Sequence, residues 1–279
     1  MKKERLDRLL VQRNCFASRE QAKRAILAGL VQVNQETIVK AGTKVDINAS
    51  LTVKRPLHPY VSRGGVKLEK AIKTFGLDLT GKIVLDIGAS TGGFTDCALQ
   101  HGAKKVYAVD VGYGQLAWKL RQDPRVVVLE RVNFRYMKPE QLTEGSPDMA
   151  TIDVSFISLK HIFPNLTRFL PAGGAVVALV KPQFEAGREQ VEKKGIVKDP
   201  RIHREVLVRV IELADNFSFY LKGLSFSPIL GSAGNIEFLA YFSYQDAHQV
   251  IGSQLQSLID KVVQEAHIVW KKKPKSSDG

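Results

Sequence analysis

Cysteine is scarce: the 279 residues hold two, Cys15 and Cys97, far apart and without a metal-ligand neighbour at useful spacing. A disulfide framework and a cysteine-based zinc module are excluded, and a reducing cytoplasm is the expected setting. The six histidines are scattered, so no metal is expected either. No apolar run reaches the length of a membrane-spanning helix, and the start, Met1-Lys2-Lys3-Glu4, has no apolar signal region. Stable membrane insertion is therefore not expected. Acidic residues are in deficit, with 28 Asp and Glu against 41 Lys and Arg, a net charge of +13. That balance favours a polyanionic partner. It is also uneven, because residues 1–60 hold 12 basic side chains against 5 acidic ones.

Two nucleotide motifs are missing as well. A short apolar strand, Ile83-Val84-Leu85-Asp86-Ile87, breaks into Gly88-Ala89-Ser90-Thr91-Gly92-Gly93-Phe94, the kind of corner where an open α/β sheet binds a nucleotide-like cofactor. A dinucleotide fingerprint needs glycine where Ser90 stands, and a P-loop ends in Gly-Lys-Ser/Thr, yet no lysine lies between Val84 and Gly102. What remains is a cofactor with a ribose and a carboxylate-bearing tail but no phosphate, S-adenosylmethionine. The run Lys105 to Asp110 ends in an acid 24 residues after Asp86, placed to accept ribose hydroxyls. Val126 to Glu130 and Asp148 to Asp153 also end in acids, and Ala175 to Val180 leads to Lys181. Apolar runs without alternation, separated by helical stretches such as Phe94 to His101 and Gln115 to Gln122, predict a parallel sheet covered on both faces. Its site would lie at the carboxyl ends of the strands. Arg201 to Asn216 and Asp246 to Ala266 read as further helices over the sheet. The loop Gln183 to Pro200 reads as either a lid or a connection.

The amino-terminal segment reads as a compact module. Leu6, Leu9 and Leu10 share one helical face, Ser18 and Gln21 make a capping-box start, and the second helix stops at Gly29. Arg19, Lys23 and Arg24 at the opening of that helix suit phosphates. Residues Arg5-Leu6-Asp7, Ser18-Arg19, Ala22, Ile26, Gly29, Val31 and Val33-Asn34 resemble the S4 RNA-binding domain over roughly residues 3–55. Gln35 stands where that family usually has glycine. The resemblance implies an RNA partner without naming a reaction.

The reaction is narrowed by what the fourth strand carries. It ends in Asp153-Val154-Ser155-Phe156 and lacks the polar-Pro-Pro-aromatic run of nitrogen methyltransferases. Neither cysteine is placed as the nucleophile of a carbon-5 methyltransferase. Oxygen methylation needs a base for a hydroxyl proton and acids to hold that base, and Lys67, Asp153, Lys181 and Glu237 answer that need. Glu237 is expected inside an otherwise apolar strand, where a carboxylate is costly unless paired with a cation. A second ammonium and partial desolvation would lower a lysine from its usual ~10.4 toward a useful range. Lys181, ending a buried strand, is the expected base, with Lys67 as its charge partner. Taken singly, each of the four has a plainer reading as a surface or strand-end charge.

In order, these four residues are similar to the Lys-Asp-Lys-Glu tetrad of FtsJ-type ribose 2′-O-methyltransferases. Ser62-Arg63-Gly64-Gly65, Gly88 to Phe94, Asp110 to Trp118, Asp153 to Leu159 and Val180 to Glu185, preceded by an S4-like segment, resemble the TlyA family over nearly the whole chain. The resemblance implies an α/β fold, a Rossmann-like seven-stranded methyltransferase sheet with a small α+β S4 RNA-binding domain at the N-terminus. The domains would span 1–55 and 62–268, with a linker at 56–61 and a basic tail at 269–279. It implies 2′-O-methylation of cytidine in ribosomal RNA or ribosomal subunits. It also implies cofactor contacts from Asp86, Gly88, Ala89, Ser90, Gly92, Gly93, Phe94, Asp110, Glu130, Asn133, Asp153 and Ser155. RNA contacts would come from Lys3, Arg5, Arg19, Lys23, Lys40 and Arg63, with Ala17 standing where some relatives carry a further arginine. The family is often labelled hemolysin, so a membrane-active protein is the alternative, and an RNA-binding protein with an inactive methyltransferase fold is a third reading.

Overall fold

The computed structural model describes residues 3–16, 18–27, 29–53, 58–246 and 252–272. Ala17, part of the linker and most of the basic tail lie outside the described residues. The chain divides into two compact units, Met1–Pro59 and Tyr60–Gly279.

In the first unit, strand β1 (Lys3–Arg5) leads into helices α1 (Leu6–Gln12) and α2 (Arg19–Leu27), then strands β2 (Val31–Val33), β3 (Glu36–Thr37), β4 (Lys44–Asp46) and β5 (Leu51–Val53). Leu6, Leu9 and Leu10 bury one face of α1 against Ala22 and Ile26 of α2 and Val31 of β2, the helical spacing read from the sequence. The hydroxyl of Ser18 accepts from Gln21 N at 3.3 Å, which starts α2. β2 lies between β3 and β5, and β1 pairs with β4. The β2–β3 turn puts both Asn34 (φ 49°) and Gln35 (φ 73°) in the left-handed region. Two such residues match a type I′ hairpin turn, where glycine is the favoured second residue. Gln35 therefore sits in a strained position.

The second unit runs α3 (Gly65–Phe75), β6 (Ile83–Ile87), α4 (Gly93–Gln100), β7 (Lys105–Asp110), α5 (Trp118–Arg121), β8 (Val126–Glu130), β9 (Met149–Ile152), α6 (Phe163–Leu166), β10 (Ala175–Val180), α7 (Pro182–Glu185), α8 (Pro200–Asp215), β11 (Phe219–Phe226), β12 (Phe238–Tyr244) and α9 (Gly252–Lys272). Seven strands form one sheet in the order β11-β12-β10-β9-β6-β7-β8. The five from β10 to β8 are parallel; β12 runs antiparallel to both β10 and β11. Both faces are covered. Leu85 and Ile87 point into a core shared with α8 and α9, while Val84 points into one shared with α3 and α4. Apolar side chains on both faces are why these strands read as unbroken apolar runs.

Three details differ from the sequence reading. The helix expected from Asp246 to Ala266 is α9, which among the described residues runs from Gly252 to Lys272; residues 247–251 lie outside the described residues. The helix expected from Gln115 to Gln122 is confined to α5, because residues 111–117 turn back toward Asp110 and Thr91. Glu237 is not inside its strand but immediately before β12. The register explains its place: Phe238 faces Val180, so Glu237 and Lys181 emerge together at the carboxyl edge. The antiparallel strand thus delivers its beginning to the edge where its neighbours end.

Candidate active site

The sheet brings the four charged residues into one connected chain. The Lys67 ammonium is 2.6 Å from Glu237 Oε2 and 3.8 Å from Asp153 Oδ2. The Lys181 ammonium is 2.6 Å from Asp153 Oδ1 and donates to Ser155 Oγ at 2.8 Å. Asp153 thus bridges two ammonium groups, and Glu237 closes the chain behind Lys67. Lys67, Lys181 and Glu237 are 7%, 7% and 2% exposed. Burying two cations is tolerable only because two carboxylates face them at hydrogen-bond distance. Lys67 comes from the first turn of α3, Asp153 and Ser155 follow β9, and Lys181 follows β10.

The chain opens into a cavity of ≈ 310 Å³ that Lys67, Asp153, Lys181 and Glu237 line together with Arg63 and the glycine turn. A second cavity, ≈ 440 Å³, lies toward the ends of β7 and β8 and is lined by Asp110, Val111, Asn133, Phe134 and Phe156 among others. The two share Gly88, Ser90, Asp153 and Ser155. Gly88 has φ 88°, and a Cβ on it would lie 2.6 Å from the Asp153 carbonyl oxygen, so only glycine lets β6 and β9 close at this point. Ser90 takes the left-handed conformation (φ 49°) and donates its backbone N–H to Asp110 Oδ2 at 2.7 Å. Gly112 N donates to Oδ1, also at 2.7 Å. Each carboxylate oxygen keeps a lone pair for a further donor, such as a ribose hydroxyl. A polar cavity joined to a larger, more apolar one suits a ligand with a charged tail and a nucleoside.

Not every residue expected at the cofactor meets the cavities. Ala89, Gly93 and Phe94 line the first and Asn133 the second, but Asp86, Gly92 and Glu130 line neither. Asp86 is fully buried, accepting from Thr95 at 2.6 Å and Thr151 at 3.0 Å, and burial pushes its carboxyl up to about 6. Its role here is to tie the turn and α4 to β9. Gly92 makes room for Leu116 and Leu120. Glu130 pairs with Arg121 and accepts from Gly114 N at 2.9 Å. Burial opposes its charge, but these partners hold its carboxyl below the usual range.

Sequence reasoning missed the aromatic rim. Phe156 is 91% exposed, lines the second cavity, adopts φ 63°, and lies tilted against Phe184 at 5.1 Å between centroids. Exposed Tyr113 and Tyr136 each carry an arginine guanidinium, Arg131 at 4.2 Å and Arg135 at 5.3 Å. Only the adjacent Arg135-Tyr136 pair was visible in the sequence; Tyr113 and Arg131 are 18 positions apart and meet only in the fold.

In the amino-terminal unit, Arg5 and Arg19 both bind Asp7, at 3.0 and 2.8 Å. Asp7 is fully buried and its carboxyl is held well below the usual range, first by the hydrogen bond from Arg5, against burial, and then by Arg19. The two arginines keep nearly half their side-chain surface exposed, so they join a structural role to an outward charge. Lys23 pairs with Glu20 at 2.6 Å. Lys3 and Lys40 are exposed.

Comparison with known proteins agrees with this architecture. The family model of FtsJ-like methyltransferases matches residues 60–244, and that of the S4 domain matches residues 4–51. The chain is thus an FtsJ-like methyltransferase fold preceded by an S4 domain. YqxC of Bacillus subtilis (strain 168) is 57% identical over 98% of this chain and 97% of its own. The 16S/23S rRNA (cytidine-2'-O)-methyltransferase TlyA of Mycobacterium tuberculosis is 40% identical over 95% of this chain and 98% of its own. A solved structure from Streptococcus thermophilus, which carries a hemolysin name, is 53% identical with a TM-score of 0.77, covering 98% of both chains. At these identities over nearly its full length, the chain belongs to the TlyA family.

Proposed function

We propose that the protein transfers a methyl group from S-adenosylmethionine to the ribose 2′-oxygen of a cytidine in ribosomal RNA. The observation that carries this reading is the buried chain Glu237–Lys67–Asp153–Lys181 at the junction of two cavities. The cofactor, when bound, supplies a methyl group activated on a sulfonium. Asp110 and Asn133 would hold its nucleoside in the second cavity, and the Gly88 to Ser90 turn with Gly93 and Phe94 would hold its tail in the first. Lys181, entering the step as a neutral amine, takes the proton from the 2′-hydroxyl as the oxygen bonds to the methyl carbon and the sulfonium–methyl bond breaks to leave a neutral thioether; Asp153 and Ser155 fix the position of that amine. Lys67, itself held by Glu237, adds positive charge beside Asp153. The four residues thereby align the oxygen for displacement of the methyl group. Phe156 offers a flat apolar face to a nucleobase at the cavity mouth, and Arg131, Arg135 and Arg63 meet backbone phosphates. Lys3, Arg5, Arg19, Lys23 and Lys40 of the S4 unit extend the contact, with residues 1–55 as the RNA-binding domain and 62–268 as the methyltransferase.

The hemolysin name of a relative supplies a competing reading, a membrane-inserting protein. Among the described residues, no helix is long and apolar enough to cross a membrane. The test compares wild type and Lys181→Ala in single-turnover methyl transfer to ribosomal subunits, with cofactor affinity measured separately. Loss of about 10²- to 10⁴-fold in rate with cofactor affinity kept supports Lys181 as the base. A variant within tenfold of wild type removes Lys181 from that role.

A further inference from the structure

The loop Asp153–Ser158 carries three residues of the proposed site, and its backbone is strained at Phe156. A bulky aromatic residue with positive φ is an outlier that persists only where its surroundings enforce it. Burial of the ring is not the reason, since it is 91% exposed. The enforcing contacts come from the segment that begins at Lys181. Lys181 reaches Ser155 at 2.8 Å, the Phe184 ring lies tilted against Phe156, and Glu185 accepts from Ser158 Oγ at 2.6 Å and Leu159 N at 2.8 Å. Residues 181, 184 and 185 thus meet 155, 156 and 158–159 in order, as a zip between two segments. Ser158 in turn accepts from Lys160 N and caps the 3₁₀ turn Leu159–His161. Glu185 is the anchor at the far end of this zip. Burial pushes its carboxyl up, while Ser158 and Leu159 counter that by donating to it, so the group sits where its hydrogen bonds are best satisfied.

We propose that Glu185 is a positioning residue for methyl transfer, clamping the Asp153–Ser158 loop so that Ser155 meets Lys181 and Phe156 keeps its left-handed backbone at the cavity rim. This rests on the functional reading above for its consequence, but not for its geometry. Glu185 touches no reacting atom; it acts through the loop. The carboxylate geometry can be replaced by an amide, whose oxygen accepts from Leu159 N and whose NH₂ faces Ser158. A methyl group cannot replace it.

The clamp is tested by melting temperature in two backgrounds. With Glu185 present, Phe156→Gly melts a few degrees above Phe156→Ala, because only glycine occupies positive φ without a Cβ penalty. With Glu185→Ala added, the loop relaxes and that gap closes. Should Glu185→Ala fail to fold, Glu185→Asp, too short to reach both donors, carries the same comparison. A gap that persists unchanged overturns the clamp. In methyl transfer, Glu185→Ala lowers kcat at least tenfold and Glu185→Gln stays within about threefold of wild type. A wild-type kcat in Glu185→Ala, with only its melting temperature reduced, makes the residue purely structural and overturns the proposal. If wild type transfers no methyl group to RNA, the functional reading fails, and the melting comparison still decides the clamp.

Discussion

Asp7 shows how one side chain sets both the stability of the amino-terminal unit and the meaning of its arginines. Its carboxylate is held low by Arg5 and Arg19, so its folded pKa lies below the unfolded value of about 3.9. The stabilisation is complete above that unfolded value and is lost as pH falls through the folded one. Thermal melts should therefore show Asp7→Asn less stable than wild type by a constant margin from neutrality to about pH 5, with the margin shrinking below about pH 4. A margin independent of pH would mean that shape and not charge matters there. Arg5→Ala and Arg19→Ala should lower both RNA affinity and melting temperature, whereas Lys3→Ala and Lys40→Ala should lower affinity alone. The sequence leads one to expect phosphate contacts from these arginines, and it does not show them as partners of Asp7. Similarly, it places Asp86 and Glu130 at strand ends without revealing that Thr95 and Thr151, or Arg121, already engage them. Hydrogen-bond partners on other elements decide whether a strand-end acid faces a ligand, and spacing along the chain does not contain them.

At the level of elements, the β2–β3 hairpin carries a removable strain. Gln35→Gly should stabilise the protein by about 1 kcal/mol, because the left-handed conformation costs an L residue about that much. A lower melting temperature for this variant would contradict the assigned turn. The junction of α8, α9 and the segment before α8 should respond to acid. Buried His203 contacts Val197 O at 3.1 Å and His267 Nε2 at 3.0 Å, and burial, with His267, lowers its pKa to about 4. Its folded pKa lies below the unfolded value of about 6.5, so the fold favours the neutral ring. Stability is full above about pH 6.5 and declines as pH falls toward 4. His203→Gln should show a smaller loss over that window; an equal loss would assign the acid response to other groups. Elements of the parallel sheet were legible because strands buried on both faces must be continuously apolar. The short α5 and the position of Glu237 were not, because they depend on a turn back to Asp110 and on the register of an antiparallel neighbour.

Across the whole molecule, the charge imbalance and the assembled site point the same way. Lys67 and Glu237 are separated by 170 positions, yet their side chains are 2.6 Å apart. The sequence supplied the four residue types; the strand order β12-β10-β9 brings Glu237, Lys181 and Asp153 to one edge, and the first turn of α3 adds Lys67. The clamp by Glu185 was invisible in the sequence because it joins the end of α7 to the segment after β9, which only the folded sheet makes neighbours. The central claim is that this assembly methylates a cytidine ribose in ribosomal RNA. The most direct measurement incubates the full chain with methyl-labelled S-adenosylmethionine and ribosomal subunits lacking the modification, then separates the nucleosides. Label is expected in 2′-O-methylcytidine with wild type and is lost with Lys181→Ala. Label on a nucleobase, or none in RNA while the cofactor is bound, would contradict it.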